Sequence, residues 1–365
     1  MKKILLIDYY GTCSADGKMI GHSCKVLKEY KELIEKEYMV GAALSPCLVR
    51  EITSDPTNKF EQLISLKYNI IADDFVSILK RIKDKIKIFY NIHQIFKVYD
   101  YDIMWFYRTD FFLLLYFFLF DFRKKNDKEK CKIVVLIYQN SFGQGRLGKI
   151  LNYFYYRGLK KVDGIISTQK GLKELGIPNI CIPDYYYDIQ KYKKYKTCVK
   201  INKAVCVGAM TPYKQLLPLV KAFNKNGMLL EIRGFFYDKE QYSRLMKCKK
   251  DNIFIEDVVL EEEEYYKTLA EAKYAILPYD MEQYNCRTSG VLQESLFLNT
   301  IPVAPIKLLE ENGIEGLGYQ LMEELGTVDF FDESKFDVRK SELELQEYDK
   351  ELVKKKISQF FMQLI

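Results

Sequence analysis

The chain is 365 residues long, with 48% apolar residues, 29% charged residues and a formal net charge of +6. That balance excludes a disordered chain, and the length exceeds what one hydrophobic core usually fills, so two domains are expected. Nine cysteines are scattered with no Cys-x-x-Cys spacing, which argues for reduced thiols in a cytoplasmic protein over a disulfide framework.

In chain order, "MKKILLIDYYG" carries an apolar run of four residues. That is shorter than the core of a signal peptide, so it reads as a first strand over 3–8. A helical pattern, "GHSCKVLKEYKELIEKEY", precedes a strand over 39–44, and further strands are expected at 103–107, 132–138, 164–168 and 179–183. Between them "FFLLLYFFLF" (111–120) is ten residues, too short to span a bilayer. It reads first as a buried helix and second as an interfacial one, so any membrane contact is peripheral. A lysine- and tyrosine-rich tract without clean period follows at 185–202, and a second strand series follows it at 204–208, 228–232, 252–256, 274–278 and 301–304. The last element, 348–365, is an amphipathic helix.

Alternating strands and helices imply parallel sheets covered on both faces. The chain therefore reads as α/β, with two Rossmann-like domains facing across a cleft. The boundaries are 1–188 for the first domain, 189–202 for a linker, 203–347 for the second domain and 348–365 for a crossover helix. Ligands in such sheets bind beyond the carboxyl ends of the strands. The stretch 190–203 holds six lysines and no acid, while 260–266 holds four successive glutamates. Both read first as solvated surface, and the lysines alternatively as a face for anionic lipid. A nucleic-acid partner is not expected.

Several motifs fail on position. "GQGRLG" (143–148) is a literal Gly-x-Gly-x-x-Gly with Asp163 twenty residues beyond its first glycine. Asp163, however, opens the next strand instead of closing it, the wrong end of the sheet for a ribose. Asp100 and Asp102 form an Asp-x-Asp, but at the amino end of their strand. Two histidines, His22 and His93, exclude a histidine-rich zinc site and argue against a Ser-His triad.

The informative stretch is "RTSGVLQESLFLNTIPVAP" (287–305). Thr288, Ser289 and Gly290 open a helix whose free N–H groups suit an anion, and Arg287 adds a positive charge. Glu294 lies deeper among apolar neighbours, where an unpaired carboxylate is costly but one accepting two ribose hydroxyls is satisfied. A capped helix with Glu294 in a local ion pair is the alternative.

"YAILPYDMEQYNCRTSGVLQESLFLNTIPVAP" (274–305), "VCVGAMTPYKQLLPLVKAF" (205–223), "YDIMWFYRTD" (101–110) and "VDGIISTQKGLKELGI" (162–177) together resemble the GT-B glycosyltransferases, in particular glycosyltransferase family 4. The resemblance covers most of residues 1–310, each motif being degenerate. It implies a GT-B fold, with the C-terminal helix returning to the N-terminal domain. It further implies transfer of a hexose from a nucleoside diphosphate sugar to a hydroxyl, with retention and without metal or cofactor.

By position, the resemblance makes Glu294 the holder of the donor ribose, Lys214 the neutraliser of the diphosphate, and Ser289 and Gly290 the amide donors, with Thr288 and Gly208 beside them. The family's companion arginine is Ala209 here, leaving Arg287 or Arg233 to meet phosphate charge. The first family glutamate falls on Cys286 or, with an insertion, on Glu282. The usual histidine of the N-terminal half corresponds to Gln139. Lys214, Glu282 and Arg287 are thus the catalytic candidates, and Asp16, Gly17, His22 and Gln139 the acceptor-side ones. A glycan or lipid-linked glycan acceptor at the inner face of a cell membrane, in surface polysaccharide assembly, is the expected setting. The rivals are a non-catalytic scaffold descended from a transferase and a nicotinamide-dependent enzyme using "GQGRLG".

Overall fold

A computed structural model describes the chain except for residues 10, 11, 14–18, 21, 22, 56, 57, 68, 69, 72–77, 121–130, 139, 143, 144, 170, 171, 173, 285–287 and 338–344. It divides into two units, Met1–Ile182 with Val353–Ile365, and Pro183–Leu352.

The first unit is built on a seven-stranded sheet in the order Asn179–Cys181, Gly164–Ser167, Lys132–Ile137, Ile103–Phe106, Lys3–Asp8, Met39–Leu44 and Gln62–Ser65. Every pairing in it is parallel. Ile4, Leu5, Leu6 and Ile7 are all at 0% exposure, as a strand covered on both faces requires. One face packs the core of Leu5, Ile7, Phe89, Met104, Phe106, Leu113, Val135 and Ile165. The C-terminal helix, Lys350–Leu364, buries Val353, Ile357, Phe360 and Phe361. Phe361 meets the edge of Trp105 at 5.3 Å and of Tyr38 at 5.9 Å. Each such buried side chain contributes about 2 kcal/mol of transfer free energy, which accounts for a terminal helix staying docked.

The second unit carries six parallel strands in the order Ile253–Asp257, Leu229–Gly234, Ile201–Val207, Ala272–Ile276, Ile301–Pro305 and Leu317–Tyr319. Its core includes Cys206, Leu219, Phe223, Ile232, Tyr274 and Val303.

Each strand of the two predicted series is present, within one to three residues at its ends. Gln62–Ser65 and Leu317–Tyr319 were not anticipated. Both are short edge strands, of four and three residues, too short to show a strand period in the sequence. The expected linker, 189–202, lies within the second unit and begins with a helix, Ile189–Lys196. Asp188 caps that helix by accepting from the Gln190 N–H at 2.9 Å, and Tyr192 and Tyr195 bury its inner face. The basic tract is also neutralised locally: Lys191 pairs with Glu262 at 2.9 Å and Lys194 with Glu263 at 2.8 Å. Lys191 and Lys194 are thus partners of the acidic run across about 70 residues of chain, and these two lysines are not part of a free basic face.

Candidate functional site

The carboxyl ends of the second unit's strands gather most of the predicted donor residues that the structure describes. Strand Ile201–Val207 ends at Gly208, whose φ of +89° favours a residue without a Cβ. A Cβ built there would lie 3.9 Å from Val291 Cγ2, so the turn abuts the first turn of helix Gly290–Phe297. The loop beyond it is zipped to the loop after Ala272–Ile276. Gln215 N–H donates to Pro278 O at 2.7 Å, and Asp280 N–H donates to Tyr213 O at 2.8 Å.

This zipper buries Lys214 to 5% exposure. Its ammonium donates to Val207 O at 3.0 Å, lies 4.0 Å from Met210 Sδ and sits 5.8 Å from the centroid of the Tyr279 ring. An ammonium has three N–H donors, yet no carboxylate among the described residues pairs with this one. Tyr279 links the lysine to the helix terminus, its hydroxyl 3.3 Å from Ser289 Oγ. Its ring stacks on Tyr284 at 4.0 Å, and the Tyr284 hydroxyl donates to Thr288 O at 2.7 Å. Ser289, at 2% exposure, caps the helix by accepting from the Leu292 N–H at 3.4 Å. Lys214, Gly208, Thr288, Ser289 and Gly290 are thereby brought together: a buried cation beside a helix N-terminus, two features that favour an anion.

Glu294 is 2% exposed, and both its oxygens are engaged. The Tyr265 hydroxyl donates to Oε2 at 2.6 Å and the Tyr266 hydroxyl to Oε1 at 3.0 Å, both from helix Glu262–Glu271. These two donors explain how an apolar helix face tolerates the carboxylate. Burial, and then the negative charge of Glu294, push both phenols well above the ordinary tyrosine range, which keeps them protonated as donors. Nothing local in the sequence marks Tyr265 and Tyr266 as its partners, because they lie 29 and 28 residues away.

Other expectations need correction. Arg233 is not available to a phosphate: its Nε donates to Glu256 at 2.8 Å, Nη2 to Glu264 at 2.6 Å and Nη1 to Thr268 at 3.1 Å. The strand partner Glu256 and the acidic run claim its charge. The absence of a side chain at Gly290 is used by the protein itself, since a Cβ there would fall 2.0 Å from Tyr185 Cε2. Tyr185 is held in turn by Gln293, whose Oε1 accepts from its N–H at 2.8 Å. Glu282 is exposed on a turn, with its N–H donating to Asp280 Oδ1 at 3.0 Å, and its carboxylate is not among the residues gathered around Lys214. Arg287, Cys286, Asp16, Gly17, His22 and Gln139 lie outside the described residues.

In the first unit the carboxyl ends hold a polar group that sequence reading missed. Asp8 is fully buried and accepts from the Tyr107 hydroxyl at 2.9 Å. The Tyr138 hydroxyl donates to Tyr107 O at 3.2 Å, and Arg108 donates to Ser23 Oγ at 2.6 Å. Burial, followed by the Asp8 charge, raises Tyr107 far above the usual phenol range. Each member ends a separate strand or starts a helix, and only the parallel sheet brings them together. Of the nicotinamide fingerprint, Gly143 and Gln144 lie outside the described residues, and Asp163 accepts from Ile133 N–H at 2.8 Å at the amino end of the sheet, away from a ribose. A Cβ on Gly145 would meet nothing within 4 Å, so packing does not demand a glycine there. Asp102 likewise closes a strand start, accepting from Lys3 N–H at 2.8 Å.

No protein-family model matches the chain, and no curated protein sequence matches it. Solved structures do. The chain is similar to the Anabaena protein Alr3699/HepE in complex with UDP and glucose, at 12% identity, 100% coverage of both chains and a TM-score of 0.66. It is similar to AviGT4, a glycosyltransferase involved in avilamycin A biosynthesis, at 11% identity, with 100% of this chain and 98% of that chain covered and a TM-score of 0.59. The N-terminal domain of Candida albicans trehalose-6-phosphate phosphatase matches with a TM-score of 0.69 at 11% identity, over 100% of this chain and 97% of that one. At such identities the likeness concerns architecture, and the chain has the two Rossmann-like α/β domains of the GT-B fold.

Proposed function

We propose that this protein is a glycosyltransferase that moves a hexose from a nucleoside diphosphate sugar to a hydroxyl of a glycan or lipid-linked glycan. The observation that carries the reading is Lys214, a cation at 5% exposure with no carboxylate partner among the described residues, next to the N-terminus of helix Gly290–Phe297. A buried charge is costly without a counter-charge, and a diphosphate supplies one. Glu294, four residues into that helix, is positioned to orient a ribose. The UDP and glucose bound by HepE are ligands of the class such a site would take.

In this reading Lys214 and the helix terminus stabilise the charge that develops on the departing diphosphate. A phosphate oxygen of the leaving group takes the proton of the acceptor hydroxyl, the sugar keeps its anomeric configuration, and no metal or cofactor enters the scheme. The acceptor lies at the carboxyl ends of the first unit's strands, near Asp8, Tyr107 and Arg108.

A second reading, a nucleotide-binding scaffold without transfer activity, is favoured by Ala209 in place of a second phosphate cation and by the commitment of Arg233 to glutamates. Calorimetry and thermal shift with UDP, GDP, ADP, dTDP, CMP and NAD, on the wild type and on Lys214→Met and Glu294→Ala, test both. Selective binding of one nucleoside diphosphate, lost in Lys214→Met, supports the donor site, and release of free nucleotide from the matching sugar donor separates enzyme from scaffold. Binding of NAD alone overturns both readings.

A further inference from the structure

The first unit exposes an apolar and basic surface that the proposed reaction does not use. Helix Phe111–Leu119 has no charged residue, and with its cap Phe120 it exposes Phe112, Leu119 and Phe120, at 37%, 59% and 54%. Helix Arg146–Leu159 lies against it, with the Phe118 and Phe154 rings 5.7 Å apart. That second helix exposes Leu147, Ile150 and Tyr153 at 69%, 55% and 53%. Large exposed apolar side chains on two adjoining helices mark an interaction site.

The charge pattern selects the partner. Helix Arg146–Leu159 contains no acidic residue. Arg146, Ile150, Tyr153 and Arg157 recur at helical spacing along one exposed stripe, and the Arg157 guanidinium lies 5.4 Å from the Tyr153 ring centroid. Lys149 and Lys160 border that stripe and are exposed. No carboxylate among the described residues pairs with Arg146, Lys149, Arg157 or Lys160, in contrast to Lys191 and Lys194 of helix Ile189–Lys196. No described helix is long and apolar enough to cross a membrane. An apolar and aromatic stripe flanked by unpaired cations fits the headgroup and acyl boundary of an anionic bilayer, with the helix lying in the interface plane.

We propose that the outer face of helices Phe111–Leu119 and Arg146–Leu159 docks the protein on an anionic lipid surface. This assigns membrane contact to a different segment from the lysine tract, and it does not depend on the reaction proposed above. Each cation near an anionic surface strengthens partitioning about fivefold, so three account for about a hundredfold.

The test is co-sedimentation of the full chain with vesicles of phosphatidylcholine containing 30% phosphatidylglycerol, and with phosphatidylcholine alone. Wild type is expected on the anionic vesicles only, with binding falling as salt rises. The triple variant Arg146→Ala/Lys149→Ala/Arg157→Ala is expected to bind roughly a hundredfold more weakly, and Leu147→Ser/Ile150→Ser at least tenfold more weakly at any salt. All these side chains are exposed, so an unchanged melting temperature verifies folding. Lys193→Ala/Lys196→Ala is expected to bind as wild type. Failure of wild type to sediment, or equal binding by the triple variant, overturns the proposal. So does a dimer by light scattering that Leu147→Ser/Ile150→Ser dissolves, because the face then belongs to a second copy of the chain.

Discussion

Lys214 and Arg233 follow or end adjacent strands of the second sheet, and they treat their charge in opposite ways. Arg233 is ringed by Glu256, Glu264 and Thr268, so the fold itself completes its hydrogen bonds. Lys214 is more deeply buried yet has one carbonyl and a distant thioether. A third cation, Lys200, sharpens the contrast. It too has no carboxylate among its partners, but its three donors reach Ala272 O, Leu298 O and Thr300 Oγ1 at 3.0, 3.0 and 2.7 Å. Lys200 therefore closes the C-terminal end of helix Gly290–Phe297, a structural use of a cation. Lack of a carboxylate is thus no sign of a ligand by itself; lack of a carboxylate together with unfilled donors is.

The largest effect is expected from Lys214→Met. Removing one partner of a buried charge pair costs about 2–5 kcal/mol of binding, so nucleoside diphosphate affinity measured by calorimetry should fall by about 10²-fold or more. Stability in urea without ligand should hold or rise, since the variant removes a costly buried cation. Tyr266→Phe should come next. It leaves a buried Glu294 oxygen short of a donor, at about 1–3 kcal/mol of stability, read as a lower urea midpoint with an unchanged slope. Nucleotide binding should weaken less than in Lys214→Met, because the diphosphate contacts remain.

Arg233→Met should show the inverse of Lys214→Met. The two glutamates are more than a third exposed, so water screens what is left behind and the cost is about 1 kcal/mol. Affinity for the nucleoside diphosphate should stay within threefold. A pH dependence of stability is expected as well. Burial depresses Lys200 to about 8 from its ordinary 10.5, so between those values the unfolded chain binds the extra proton and stability rises with pH. Urea midpoints from pH 7.5 to 10 should show this upward trend, and Lys200→Met should flatten it.

Glu294 illustrates how far sequence reaches. A glutamate amid Val291, Leu292 and Leu296 declared itself as a buried carboxylate needing donors, and Ser289 and Gly290 declared a helix start. The donors themselves, Tyr265 and Tyr266, could not be read, because helix Glu262–Glu271 reaches Glu294 directly only in the folded unit, with no local pattern in the sequence linking the two helices. The same holds for Arg233, which looked available until Glu256 was seen opposite it on the neighbouring strand.

What the sequence determined alone is whatever a local period or a local conformational demand encodes. Two series of short apolar strands alternating with helices dictate parallel α/β layers, because a strand buried on both faces must be apolar throughout. A long amphipathic C-terminal helix likewise announces that it is docked. Tertiary structure alone decided which charges are spoken for. Lys191 and Lys194 meet glutamates about 70 residues away, while among the described residues the basic helix after Gly145 meets none and Lys214 is left without a counter-charge. Electrostatic partnership depends on distance in space, and sequence separation carries almost no information about that distance once a chain has folded into parallel sheets.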